Sequence, residues 1–539
     1  MRNEIQNALV GLRRNPNLED EYEEAREEID IEEEGLEDEG EERFRREVVQ
    51  VSEVHKVEVS NFLVSLTLAV IAVVACVYLL NGEKGKLPPG PRGLPILGSL
   101  LGLGSNYLHH TLYALSKPYG GLMYLKLGTT PALIASSKEA ATAILKTFDS
   151  DFSNRLANMG ATADILLYNR NDITMSSQWP MLRKLCIFHL LTPKCLQKWQ
   201  QFREEEMTIL LASIFKQRGS SLNVGDFVNV FTSNVIGQMT LRMRLFNDNN
   251  VEAEHFRRLM EDFLIECSRF RIGDHVIFLD WIGSGGSLDQ AKTLKKRVDE
   301  FLVRKMEEPK RMLLSREDND AKDFLQILYE LKSTSAEEGA QLSESNIKGI
   351  LLNMISAGTD TATPTVEWAI SELIRHPHLI NKVRDEVDAC VQMEERVRES
   401  HLPELKYLEA VVTETLRLHP PTPLMLPHAS PKCSSKIMGD PNAWEKPLEF
   451  DPDRFVGNPV NLHGRDFRII PFGAGRRICP GYNLGLRLIH FALASFIHAF
   501  DWSLPPGEEA QDLDMSEKYE VSMKVPLTLF ATPRLIQGK

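Results

Sequence analysis

Phe472-Gly473-Ala474-Gly475-Arg476-Arg477-Ile478-Cys479-Pro480-Gly481 is the stretch that decides the reading of this 539-residue chain. The residues after it carry apolar side chains at helical spacing, Leu484, Leu486, Leu488 and Ile489, so a cysteine is placed where a loop turns into a helix. A helix N-terminus offers partial positive charge and free amide donors, and both favour a thiolate over a thiol. Gly475 and Gly481 let the backbone come close to the sulfur and take angles other residues avoid. The other six cysteines, Cys76, Cys186, Cys195, Cys267, Cys390 and Cys433, show no C-x-x-C spacing. They therefore indicate neither a zinc site nor a disulfide framework, and the body reads as reduced and cytosolic.

Three further constellations accompany the cysteine. Leu342 to Arg375 has helical apolar spacing and would run about 50 Å as one helix. Within it lies Ala357-Gly358-Thr359-Asp360-Thr361, followed by Pro364. A mid-helix glycine costs about 1 kcal/mol relative to alanine, and a proline lacks the amide for the carbonyl four residues back. The spacing predicts a helix opened at Gly358 to Asp360, with a carboxylate and a hydroxyl at the edge of the opening. Glu414-Thr415-Leu416-Arg417 sets a carboxylate and a guanidinium on one helix face. Trp179 and Arg183 are four apart, with Pro180 suited to a first helical position.

The cysteine stretch resembles the haem-binding loop of the cytochromes P450, F-x-x-G-x-R-x-C-x-G, at every defined position. The other constellations are similar to that family's A-G-x-D-T, E-x-x-R and W-x-x-x-R motifs, and they occur in the family's order. The resemblance spans roughly Leu87 to Leu535 and implies a mainly α (α+β) fold, a large helix-rich domain with a small β-sheet. It implies that Cys479 is the axial ligand of haem b and that Phe472 shields its sulfur. Trp179, Arg183 and Arg477 would bind the haem propionates. Thr361 and Asp360 would be catalytic, steadying activated dioxygen and relaying protons. Glu414, Arg417 and the arginine of Pro452-Asp453-Arg454-Phe455 would form a structural network supporting the loop.

Segments such as Asp151 to Arg155, Leu182 to Leu185 and Ala357 to Trp368 resemble plant microsomal enzymes, above all flavonoid 3'- and 3',5'-hydroxylases. The implied reaction is insertion of one oxygen atom from O2 into a small flavonoid or other phenolic, with electrons from an NADPH-cytochrome P450 reductase. Candidates for lining the substrate pocket are the loop Ala157 to Asn171, Asn353, Ala357, Thr422, Leu424, Met425 and Val521.

The N-terminal hundred residues carry a separate message. Of the net charge of −14, residues 1 to 50 account for −11, with 18 acidic and 7 basic residues, so the body implies no nucleic-acid partner. Glu19 to Glu42 is too acidic and too poor in apolar residues to bury a core and is expected to be disordered. Phe62 to Leu80 is uncharged and long enough to cross a bilayer as a helix. Lys84, Lys86 and Arg92 follow it, whereas Lys56 alone precedes it closely, which places the body on the cytosolic side; the resemblance implies that the membrane is the endoplasmic reticulum. The expected organisation is an acidic extension over 1–60, a transmembrane anchor over 61–80, a proline-rich linker over 81–96 and the catalytic domain over 97–539.

One departure stands out. Between Glu414 and Arg454 the family carries a further strand pair before the D-P-x-x-W that Asp440 to Trp444 resembles, and that piece is missing here. Its loss would strip wall from the substrate side and unpair neighbouring strands. The motif arginine expected after the E-x-x-R helix is replaced by His428. Two readings follow: an active monooxygenase, or a non-catalytic relative that folds or binds haem weakly. Intact Thr361, Asp360 and Cys479 favour the first.

Overall fold

The computed structural model describes residues 61–70, 87–94, 96–103, 107–155, 165–168, 170, 172–174, 176–246, 250–268, 284–313, 324–334, 342–391, 395–429, 434–437, 443–517 and 526–534. Two units are distinguished, Met1–Lys86 and Leu87–Lys539. In the first, residues 61–70 are helical and exposed. Among the described residues no helix is long and apolar enough to cross a membrane. The rest of the expected anchor, Glu19 to Glu42, and Val521 lie outside the described residues.

The second unit is a helix-rich body with two small sheets. The elements that bear on the site run α1 (Leu108–Ser116), β1 (Leu122–Leu127), β2 (Thr130–Ala135), α2 (Asp149–Phe152), α3 (Trp179–Cys186), β3 (Leu222–Asn223) and α4 (Val224–Leu241). They continue as α5 (Glu344–Asp360), α6 (Ala362–Arg375), α7 (Lys406–Leu418), β4 (His428–Ala429), β5 (Ser434–Ile437), α8 (Tyr482–Ala499), β6 (Phe500–Ser503) and β7 (Thr528–Pro533). α6 is buried on every face from Ala362 to Leu373, and α8 from Phe491 to Ala499. Helices buried all round belong at the centre of a large core, and α4, α5, α6 and α8 share one.

In β1, burial alternates strictly along Leu122–Leu127, as a half-buried strand requires. Leu127 pairs with Thr130 across a two-residue turn whose Gly128 has φ +59°, the positive angle that tight hairpins need. The proline-rich stretch lies along this strand, with the Tyr124 amide donating to the Pro89 carbonyl at 2.9 Å. From Leu87 onward it therefore belongs to the body.

The first sheet has the order β1-β2-β5-β4, with β5 parallel to β2 and antiparallel to β4. This corrects the expectation that the missing segment leaves its neighbours unpaired. The short run Ser434–Ile437 reaches β2 and takes up its open edge. The second sheet has the order β3-β7-β6.

The helix expected over Leu342 to Arg375 is two helices, and the interruption falls at Thr361 rather than at Gly358 to Asp360. Four alternate threonines explain its place. Thr359, Thr361, Thr363 and Thr365 each donate a side-chain hydroxyl to the carbonyl four residues back, on Ile355, Ala357, Thr359 and Thr361, at 2.7 to 3.1 Å. Such bonds compete with the backbone ladder and bend helices, and Pro364 removes a further amide. Gly358 serves packing instead: a Cβ there would come within 2.8 Å of Ile236 Cδ1 on α4.

α7 is fastened to the segment after β5 by a buried ion network. Glu414 is fully buried and accepts from Arg417 Nε at 2.6 Å, Arg454 Nε at 3.1 Å and the Asp451 amide at 2.8 Å. The guanidiniums spend their remaining donors on the Pro447, Glu445 and Glu449 carbonyls. Removing one partner from a buried pair strands the other charges. Glu414→Ala is expected to destabilise by roughly 3–5 kcal/mol. Lys406→Ala, in an exposed pair with Glu409, should cost under about 1 kcal/mol. Denaturant unfolding of the two variants measures the contrast.

Candidate active site

The cysteine loop is shaped by two glycines and one hydrogen bond. Gly473 and Gly475 have φ +71° and +67°, angles that side-chain-bearing residues adopt at a cost. The Cys479 amide donates to the Phe472 carbonyl at 2.8 Å and closes the loop. Beyond it, Gly481 caps α8 and the Gly485 amide donates to the Gly481 carbonyl at 2.9 Å. Asp149, in the first turn of α2, accepts the Arg476 amide at 3.1 Å and pairs with the Arg476 guanidinium. Sequence reading did not single out Asp149, since its partner is more than three hundred residues away.

Cys479 therefore stands three residues before the first helical residue of α8. Burial pushes its thiol up from the ordinary cysteine range, while the Gly481 amide and the Arg183 charge pull it down. Burial is the larger influence, so the thiolate needs a positive partner at the sulfur to be favoured. The ring of Phe472 packs against the core and lies 6.5 Å from that of Tyr482.

Positive charge reaches the sulfur through Arg183, which also acts on Arg477. Arg477 stacks its guanidinium 3.7 Å from the centre of the Trp179 ring and donates to the Ser153 and Thr174 carbonyls at 2.7 and 3.1 Å. Trp179 and Arg183 lie on α3, which has Pro180 in its first turn. Arg155 joins the group, donating to the Leu426 and Pro427 carbonyls at 2.9 and 2.7 Å, while its Nε is buried without a hydrogen-bond partner among the described residues. Burial and the charges of Arg155 and Arg183 push Arg477 down to about 9, and burial pushes Arg155 down to about 10. Asp172 opposes both shifts. His428 points Nδ1 at the Phe152 carbonyl, 3.1 Å away, and is pushed down to about 4 by burial and by Arg155, so it is neutral at pH 7.

Arg155 and Arg477 share the one carboxylate of Asp172, and Arg183 adds a further repelling charge on Arg477, so the group calls for more negative charge. A porphyrin bearing two propionates, next to a cysteine whose sulfur can bind iron, fits these residues. Arg155 was legible only as part of the quoted segment Asp151 to Arg155; its place beside Arg477 is a matter of tertiary approach.

The remaining candidates fall into distinct surroundings. Ala357 and Thr361, one turn apart, form an exposed strip between the buried Ser356, Thr359 and Ala362. Asn353 Oδ1 accepts the Ile173 amide at 2.9 Å, so it ties down the chain beside the loop proposed to line the pocket. The Thr422 carbonyl accepts the Met425 amide at 3.1 Å, and Met425 has φ +51°. Leu424 packs against the cluster under β1, whereas Met425 packs with Leu145, Ile470 and Ala474 and lies near Gly473.

Gly475→Ala tests the loop directly. The added methyl would collide with the Leu145 carbonyl and come within 2.8 Å of Asp149 Oδ1 at a left-handed backbone angle. A loss of roughly 1–3 kcal/mol in unfolding free energy and a lower haem-to-protein ratio are expected, read by denaturation and by pigment assay.

Comparison with known proteins shows the family. The cytochrome P450 family model matches residues 88–439 and 432–530. A flavonoid 3'-monooxygenase of Crocosmia x crocosmiiflora is 40% identical over 494 residues, covering 85% of this chain and 96% of that protein. A flavonoid 3'-monooxygenase of Petunia hybrida is 38% identical over 480 residues, covering 83% and 92%. A flavonoid 3',5'-hydroxylase of Eustoma exaltatum subsp. russellianum is 36% identical over 483 residues, covering 85% and 93%. With the family model over most of the chain and relatives matched along more than nine-tenths of their own length, the chain belongs to the cytochrome P450 family, an oxidoreductase of monooxygenase type with haem b, dioxygen and NADPH-derived electrons as its cofactors.

Proposed function

We propose that this enzyme hydroxylates the B ring of a flavonoid or a closely related small phenolic. The observation that carries the proposal is the naming of its relatives, at 36–40% identity, as flavonoid 3'-monooxygenases and a 3',5'-hydroxylase. In this reading a membrane-bound NADPH-cytochrome P450 reductase delivers the electrons. Residues 61–80 anchor the chain in the endoplasmic reticulum membrane after an acidic extension over 1–60. The proline-rich stretch 81–96, packed with the body from Leu87 onward, leads into a cytosolic catalytic domain over 97–539. The uncharged run Phe62 to Leu80 supports the anchor.

Cys479 Sγ is assigned as the axial ligand, and Trp179, Arg183 and Arg477, joined by Arg155, as the residues that hold the propionates. The haem, when bound through a thiolate, supplies dioxygen-cleaving chemistry. The chain's own residues do the rest. Arg183 and the Gly481 amide favour the sulfur's negative charge, and Phe472 excludes water from its flank. Thr361 Oγ1 now donates to the Ala357 carbonyl. A rotation of that hydroxyl presents its proton to the exposed strip, with Asp360 beside it as proton source. Ala357, Thr422, Leu424 and Met425 are assigned to the substrate wall. Asn353 positions the chain at Ile173. The Glu414, Arg417 and Arg454 network holds the segment that precedes the cysteine loop.

The test is turnover by the full-length chain in microsomes with reductase, NADPH and a flavonoid bearing a single B-ring hydroxyl. A product heavier by one oxygen atom is expected. Cys479→Ser should give no product and no thiolate-type carbon-monoxide difference spectrum, because a hydroxyl is a far poorer anionic ligand than a thiol of ordinary pKa about 8.5. A wild-type protein that gives no thiolate-type spectrum would favour the non-catalytic reading, whereas a normal spectrum with no turnover of any phenolic tried would overturn the substrate class. Thr361→Ala is expected to keep haem content while lowering product formed per NADPH consumed. An unchanged ratio would reduce Thr361 to a helix-bending residue.

A further inference from the structure

Far along the sequence from the cysteine loop, α1 and the chain ahead of β7 bring three metal-binding side chains together. His109 and His110 stand in the first turn of α1, with ring centroids 4.2 Å apart. The Nε2 atoms of both aim at the same oxygen, Glu517 Oε2, at 3.0 and 3.6 Å. The three ligating atoms all lie within 4.8 Å of one another. One imidazole on a carboxylate is an ordinary contact; here both Nε2 atoms converge on one oxygen, which sets two nitrogen donors and a carboxylate around a single point, as a shared cation requires.

We propose that His109, His110 and Glu517 form a zinc site that clasps the segment ahead of β7 to helix α1. Ligands about 2.0–2.1 Å from a tetrahedral zinc lie about 3.4 Å from one another, and the observed 3.0 and 3.6 Å bracket that separation. Two imidazoles with a carboxylate suit zinc rather than calcium or magnesium, which take oxygen ligands. Zinc also binds such donors more tightly than ferrous iron does.

The surroundings favour the same arrangement. His109 and Glu517 are largely buried, whereas His110 is 64% exposed, so the ion has a way in and a fourth position open to water. The Tyr107 hydroxyl donates to the Glu517 carbonyl and fixes the acid's backbone independently of the metal. Because the joined residues are 408 apart in sequence, the ion would cross-link the body's first helix to its C-terminal region and restrain the chain entering β7.

The experiment uses the untagged full-length holoprotein, dialysed against buffered free zinc at low micromolar concentration and freed of unbound metal. Zinc and iron are then counted separately by elemental mass spectrometry, with the carbon-monoxide spectrum as the measure of folding. About one zinc per chain is expected. His110→Ala, at the exposed ligand, should weaken zinc binding by more than the ~10-fold that loss of an outer-shell partner costs. Glu517→Gln should do the same, with iron content unchanged in both. Zinc should raise the unfolding temperature of the wild type and not that of His110→Ala, because only a metal bound to the folded state stabilises it. A wild type that retains no zinc, or a His110→Ala protein that retains as much as the wild type, overturns the proposal.

Discussion

The buried carboxylate of Glu414 is the interaction on which the arrangement behind the cysteine loop rests. A lone carboxylate at that depth would cost several kcal/mol in lost hydration. Two guanidiniums and an amide are therefore drawn to it from three places in the sequence: α7 itself, Asp451 and Arg454. Once they are there, the carbonyls of Glu445, Pro447 and Glu449 have no freedom either, since they accept the outer donors of the same two arginines. A segment with little regular structure of its own thus becomes a fixed platform between β5 and the loop that begins at Phe472.

The parts of the site legible in the sequence are those whose cause is local. Glycines flanking a cysteine just before an apolar helix announce a tight loop and an amide-lined sulfur, and Gly473, Gly475 and Gly481 occupy that role in the folded chain. The Glu414–Arg417 pair follows from helical spacing alone. Arg454 could be added only through resemblance, because nothing local says that a guanidinium 40 residues on will share Glu414 Oε1. Asp149, Arg155 and Asp172 were missed as site residues for the same reason: their significance depends on which loops meet, and each alone reads as a surface charge.

The interrupted helix shows how a correct signal can be assigned to the wrong atom. A glycine and a proline mark the region, and the interruption is real, but its place is set by side-chain hydroxyls. Threonine at every second position from 359 to 365 makes each hydroxyl a competitor for the carbonyl one turn back. Thr361 is where that competition coincides with the amide that Pro364 lacks. Gly358 is required by the neighbouring helix, because the Ile236 side chain occupies the space that a Cβ would need.

The departure at His428 follows from the same electrostatics that gather the guanidiniums. His428 pairs across the short β4–β5 ladder with Ser435 and is buried beneath Arg155 and Arg477. Burial and mutual repulsion have already pushed Arg477 down to about 9. A fourth permanent cation at position 428 would raise that repulsion further, and at an effective dielectric of 20 two unit charges 4 Å apart interact by about 4 kcal/mol. A neutral imidazole keeps a polar contact to the Phe152 carbonyl without adding charge. Arg155, anchored by the two carbonyls just ahead of His428, brings its guanidinium to the same neighbourhood. The positive character of the site is thereby kept by a residue from another loop, and the loss of the motif arginine does not by itself argue against haem binding.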